Sequence, residues 1–161
     1  MKAKTVVADA STLIGLSRIE QLVLLRDLYG EIVIPQSVYD EVVTESKHGS
    51  ERIKAAKYLK VVKVSDSKGV ELLLGYLGKG EAEVLTLSKE KKADLILIDE
   101  KKARKAARRA GFEVIGVLGL LLAAKNKGLI PTVRPFIEEL SNQGFRLSKK
   151  VTERALKEAK E

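Results

Sequence analysis

Two rhythms of apolar residues alternate along the chain. Short continuous apolar runs at 5–8, 32–34, 61–64, 95–98 and 114–115 predict strands, and the lack of polar alternation within them predicts burial on both faces. Between the runs, apolar residues recur every three or four positions and predict helices. Ser11 and Thr12 can cap the first, which runs through Gly15 and Leu16. A second spans about 20–28 and stops at Gly30. Pro35 opens a third over 36–45, where its missing N–H costs nothing. Further helices are predicted at 52–59, 69–77, 81–91, 101–110, 118–127, 132–141 and 149–159, the last capped by Ser148. Residues 47–50 read as a polar turn, 78–80 as a tight loop, and Gly111 as the stop of the helix before it.

Strands alternating with helices imply a three-layer α/β/α sandwich around a mostly parallel five-stranded sheet. Sheets of this kind take their ligand beyond the carboxyl ends of the strands, near a reversal of strand order. Asp9 and Asp99 both stand at predicted strand carboxyl ends. A single Asp there is ordinarily a turn or cap residue, but two of them after buried strands are harder to assign to turns alone. Glu81 shares a helix face with Val84, Leu85 and Ser88, which turns it towards the packed side, while Glu83 falls on the opposite, solvated face. Its place in a first turn also suits the helix dipole. Glu41 lies at the edge of the arc formed by Val38, Tyr39, Val42 and Val43, a position equally suited to a snorkelling surface residue.

Four carboxylates sharing a cleft would repel one another and hold their protons more tightly, unless a divalent cation compensates. With oxygen donors, no cysteine and one histidine, that cation would be Mg²⁺ or Mn²⁺ rather than Zn²⁺, as one ion or two. Asp9 and Asp99 are the expected direct ligands. Glu41 and Glu81 would bind directly or through water, or orient the nucleophile.

The chain carries 30 basic and 22 acidic residues, a net charge of +8 that favours polyanionic partners. Lys101, Arg104, Lys105 and Arg108 share one face of a predicted helix that begins directly after Asp99. That face could hold a phosphate backbone beside the acids, or could simply be solvated. Aromatic residues make up 4%, so base stacking is expected to contribute little. The absence of cysteine fits a reducing cytoplasm, and no signal peptide or bilayer-length apolar run is read. Abundant Lys, Glu, Arg, Ile and Val resemble proteins from hot environments. Gly75–Gly80 lacks the Ser or Thr of a phosphate-binding P-loop, and no dinucleotide fingerprint follows a strand. Asp9-Ala10-Ser11-Thr12 lacks the second Asp of a haloacid-dehalogenase-type phosphatase, and the single His48, read as a surface residue, excludes chemistry by a histidine pair.

Taken in order, Asp9-Ala10-Ser11-Thr12-Leu13, the run Pro35 to Val42, Gly80-Glu81-Ala82-Glu83 and Leu95 to Glu100 resemble the motifs of the PIN domain, the fold of many metal-dependent ribonucleases. The resemblance implies acids of one site at Asp9, Glu41, Glu81 and Asp99, with Ser11 orienting Asp9. It also implies Mg²⁺ or Mn²⁺ as cofactor and RNA as substrate. The segments Gly128 to Pro131 and Gly144 to Ser148 look like a little-characterised prokaryotic branch, similar to VapC-like toxins held inactive by an antitoxin. Residues 1–147 would then form the nuclease domain, with 148–161 a helix packed on it or on a partner. The family often dimerises, and the helix at 118–122 or the last helix could serve. Two departures stand out. The third acid of the family is more often Asp, and Glu81 has a longer reach. Glu100, after Asp99, could substitute for a partner acid or simply be exposed. A non-catalytic nucleic-acid-binding or adaptor protein and a small-molecule phosphatase are the competing readings.

Overall fold

The computed structural model describes residues 3–45 and 50–161. His48 and most of the turn at 47–50 lie outside the described residues. Five strands, β1 (Val6–Ala8), β2 (Ile32–Pro35), β3 (Leu59–Val62), β4 (Leu95–Leu97) and β5 (Val114–Ile115), form one sheet in the order β3-β2-β1-β4-β5. Every pairing is parallel. All residues of β1 and β4 are buried, as expected of strands covered on both faces. The edge strand β3 exposes Lys60 and Val61, and a lysine on an edge discourages pairing with another chain.

The helices are α1 (Ala10–Arg18), α2 (Leu24–Tyr29), α3 (Gln36–Glu45), α4 (Ser50–Ala55), α5 (Ser67–Leu73), α6 (Lys79–Lys91), α7 (Lys101–Arg109), α8 (Val117–Asn126), α9 (Arg134–Asn142) and α10 (Lys149–Glu158). One group, α5, α6 and α7, packs together, with α6 lying on β1 and β2. A second group has α8 packed against α1, α2 and α10, and α3 bridges α1 and α6. The core contains fully buried Leu13, Leu16, Ile32, Ile34, Leu87, Ile96, Leu97, Leu120 and Leu121. Each such side chain contributes about 1.5–3 kcal/mol on leaving water.

Several boundaries differ from the sequence reading for local reasons. Asp9, not Ser11 or Thr12, caps α1: its side chain accepts the Thr12 N–H, so both hydroxyl residues fall inside the helix. Residues 19–23 are not helical, with Glu20 at φ 58°, and α2 starts only at Leu24. The chain turns after α4, so that Leu59 begins β3 two residues before the apolar run suggests. Lys79 and Gly80 belong to α6, with Gly78 as its cap. Val114–Ile115, Gly30 and Gly111 as stops, and the Ser148 cap of α10 are as read from the sequence.

α8 buries Val117, Leu118, Leu120, Leu121 and Ala124 within the chain. α10 is fastened from its far end. Glu161 accepts hydrogen bonds from Lys125 Nζ and from the backbone N–H groups of Val133 and Arg134, and the carbonyl of Ala159 also accepts from Lys125. Among the described residues no helix is long and apolar enough to cross a membrane.

Candidate active site

The strand order reverses around β1: the chain steps from β1 outward to β2 and β3, then returns to β4 on the other side. β1 and β4 pair in register, Val6 with Leu95, Val7 with Ile96 and Ala8 with Leu97. The pairing continues one bond further, from the Asp9 N–H to the Leu97 carbonyl at 2.9 Å. Both strands therefore deliver their following acid, Asp9 and Asp99, to the same point at the carboxyl edge of the sheet.

There the two carboxylates are tied by a closed set of hydrogen bonds. Asp9 Oδ1 accepts from Thr12 N at 2.8 Å, and Asp9 Oδ2 from Asp99 N at 3.2 Å. Asp99 Oδ2 accepts from Thr12 Oγ1 at 2.9 Å, and Asp99 Oδ1 from Val117 N at 3.0 Å. All four carboxylate oxygens are thus oriented, and each keeps acceptor capacity to spare. Asp9 is 3% exposed. Burial, reinforced by the neighbouring Asp99 charge, pushes its carboxyl up to about 7. Burial also raises Asp99, against hydrogen bonds from Val117 and Thr12 and the favourable charge of Arg104.

Close packing shapes this pocket. A Cβ on Gly116 would stand 2.5 Å from Asp99 Oδ1, so the glycine lets the start of α8 approach the acid. Thr12, which links the two acids, is expected from the sequence only as a helix cap and not as a site residue; the signal is its place three residues after an Asp that can itself cap the helix. Ser11 is exposed, and the bonds that orient Asp9 come instead from Thr12 and Asp99.

Glu41 and Glu81 border the first turn of α6. Glu81 is half-buried in that turn, with its Oε2 beside Gly78, while Glu41, exposed on α3, sets its Oε2 alongside Gly80. Among the described residues no three acidic side chains converge into a group that could hold a metal ion. The arrangement is one pair, Asp9 buried and Asp99 half-buried, while Glu41 and Glu81 lie against the first turn of α6. Glu83 is half-buried and accepts from Ser37 N, so it is not the purely solvated residue the helical pattern suggested. Glu100 caps α7 by accepting from Ala103 N, which gives it a local structural role.

On α7, Ala103 and Ala107 are buried and Lys101, Lys105 and Arg108 exposed. Arg104 is half-buried, its charge acts on Asp99, and its Nε is buried with no hydrogen-bond partner among the described residues.

The pattern of the PIN domain family matches residues 5–161, and the chain belongs to that family. No match was found among curated proteins. PIN domains are generally nucleases acting on RNA or other nucleic acids and typically use divalent metals, which makes this chain, at that level, a nuclease-like hydrolase.

The residues present fit such a metal. Hard carboxylate oxygens suit Mg²⁺ or Mn²⁺, and Mg²⁺ is commonly held by one or two carboxylates with water filling the rest. Two adjoining acids with raised proton affinity, one of them buried, have the electrostatics that a divalent cation would relieve.

Proposed function

We propose that the chain is a metal-dependent endoribonuclease that hydrolyses RNA phosphodiester bonds, and that it is the toxin of a toxin–antitoxin pair. The observation that carries the first part is the Asp9–Asp99 pair, Asp9 buried and Asp99 half-buried at the reversal of strand order, with every oxygen oriented. A pure binder of nucleic acid gains nothing from negative charge placed beside a phosphate site.

Asp9 and Asp99 would hold the Mg²⁺ or Mn²⁺, with Glu41 and Glu81 completing the site directly or through water. When bound, the ion supplies charge stabilisation at the phosphoryl oxygens and a more acidic attacking water. The chain's own contribution is preorganisation. Thr12 holds the two carboxylates in one geometry, Val117 N–H fixes Asp99 from the side of α8, and α1 begins at Asp9 itself. Lys101, Arg104, Lys105 and Arg108 follow in the next helix and would receive the phosphate backbone.

The test is cleavage of labelled single-stranded RNA in Mg²⁺, Mn²⁺ or EDTA by wild type, Asp9→Asn and Asp99→Asn, with a generic phosphate ester alongside. The expected result is metal-dependent cleavage of RNA that falls at least about a hundredfold in each variant. Cleavage of the ester alone would favour a small-molecule phosphatase, and equal activity in the variants would remove the pair from the reaction. For the toxin role, growth arrest on expression and co-purification of a small protein from the native host are expected. A chain that neither slows growth nor retains a partner would overturn that role.

A further inference from the structure

A short segment beside the basic helix is unusually apolar for a surface. α5 buries none of its residues, and Leu72, Leu74 and Tyr76 on α5 and the turn after it are 85%, 45% and 50% exposed. The segment is nonetheless held firmly. Glu90 accepts from Ser65 N and Asp66 N at its start, Asp66 caps α5, and Leu77 is buried at its end. The apolar residues are therefore presented outward by a fixed support.

Its neighbour identifies what it could receive. The Lys102 ammonium lies 5.6 Å from the centre of the Tyr76 ring, and Lys102 is in the first turn of α7, directly after Asp99 and Glu100. An exposed aromatic ring against a cation, at the head of a helix carrying Lys101, Lys105 and Arg108 on its surface, pairs a stacking platform with a phosphate-binding track. Among the aromatic residues, four Tyr and three Phe, Tyr76 alone is exposed among the described residues.

We propose that Tyr76, flanked by Leu72 and Leu74, stacks against an unpaired base of the substrate while Lys102 engages the phosphate next to that base. This rests on the nuclease reading and narrows its substrate to single-stranded RNA, or a loop, with at least one base splayed out. It also revises the expectation that stacking contributes little: one well-placed ring is sufficient.

The probe is a fluorescein-labelled single-stranded oligoadenylate, compared with an abasic strand of the same length, with binding read by anisotropy in EDTA so that no cleavage is needed. Wild type should bind the base-bearing strand roughly tenfold more tightly. Tyr76→Ala should erase that preference, Tyr76→Phe should keep it, and Lys102→Ala should weaken both strands and reduce the salt slope by about one. Tyr76→Ala binding both strands like wild type would overturn the stacking role. So would sedimentation showing that wild type self-associates through the patch and that Leu72→Ser releases it. Cleavage in Mn²⁺, measured separately, decides the nuclease reading independently of either result.

Discussion

Asp9 shows how one residue serves the helix, the sheet and the site together. It caps α1, receives the N–H of Asp99 and sits too deep to be well hydrated. Its carboxyl, ordinarily near 3.8, stands at about 7 in the folded chain. Between those values the folded protein retains a proton that the unfolded chain has released. This contribution to stability is full below about 4 and is lost as the pH rises towards 7. Denaturant titrations in EDTA should therefore show stability declining across that window, by an amount on the order of a few kcal/mol. The decline should be much shallower in Asp9→Asn. Mn²⁺ added at pH 8 should raise the melting temperature of wild type by mass action and leave Asp9→Asn nearly unmoved. An equal rise in both would mean that the ion binds elsewhere. At this scale the sequence was informative about charge and poor about partners. An acid directly after a buried apolar run was legible, but which hydroxyl reaches across to Asp99 depends on how α1 leaves the sheet. Ser11 was expected to orient Asp9; the structure has Thr12 donating its N–H to Asp9 and its hydroxyl to Asp99.

Among elements, the start of α8 matters most to the acids. Gly116 is its cap, and the first N–H of the helix is bound to Asp99. Gly116→Ala leaves an allowed backbone but sets a methyl group 2.5 Å from Asp99 Oδ1, so the carboxylate must turn away. RNA cleavage should fall by at least about tenfold, with a stability loss of about 1–3 kcal/mol from overpacking. Circular dichroism should confirm that the fold persists, and unchanged cleavage would mean that the Asp99 geometry is not critical. Removing the Ser148 cap by Ser148→Ala should cost about 1 kcal/mol and leave cleavage intact, since the Ser148 hydroxyl accepts from Val151 N within α10 and not from a group bound to either acid. The elements themselves were largely legible because buried parallel strands and amphipathic helices carry distinct periods. The misplaced ends, such as those of α4 and β3, fall where Ala55, Ala56 and Leu59 suit either a helix or a strand and tertiary packing decides.

For the whole molecule, the parallel topology was implied by the alternation of elements, but the order of the strands was not. The site depends on that order, because only adjacency of β1 and β4 brings Asp9 to Asp99. The approach of α3 to the first turn of α6, which sets Glu41 beside Gly80, is likewise a property of the assembled fold. The last helix is held to α8 and α9 through Glu161, whose carboxyl is drawn down to about 2, chiefly by the N–H of Val133 and with help from Lys125. A lowered carboxyl stabilises the fold fully above its ordinary value of 4.5 and ceases to do so as the pH falls towards 2. Glu161→Gln should lower the melting temperature at pH 7 and have little effect at pH 2, a contrast that scanning calorimetry can read. Equal effects at both values would mean that the hydrogen bonds, not the charge, hold the helix.

The pairing of β1 with β4 also sets a time order for synthesis. Asp9 is made before its partner acid, which lies 90 residues further along, and the N–H that fixes that acid belongs to Val117. A chain still on the ribosome cannot assemble the acid pair until β4 and the start of α8 have emerged. Contacts this distant in sequence form late. On the proposed reading, hydrolysis would therefore have to wait for these later-made segments, because the unfinished chain carries no assembled acid pair.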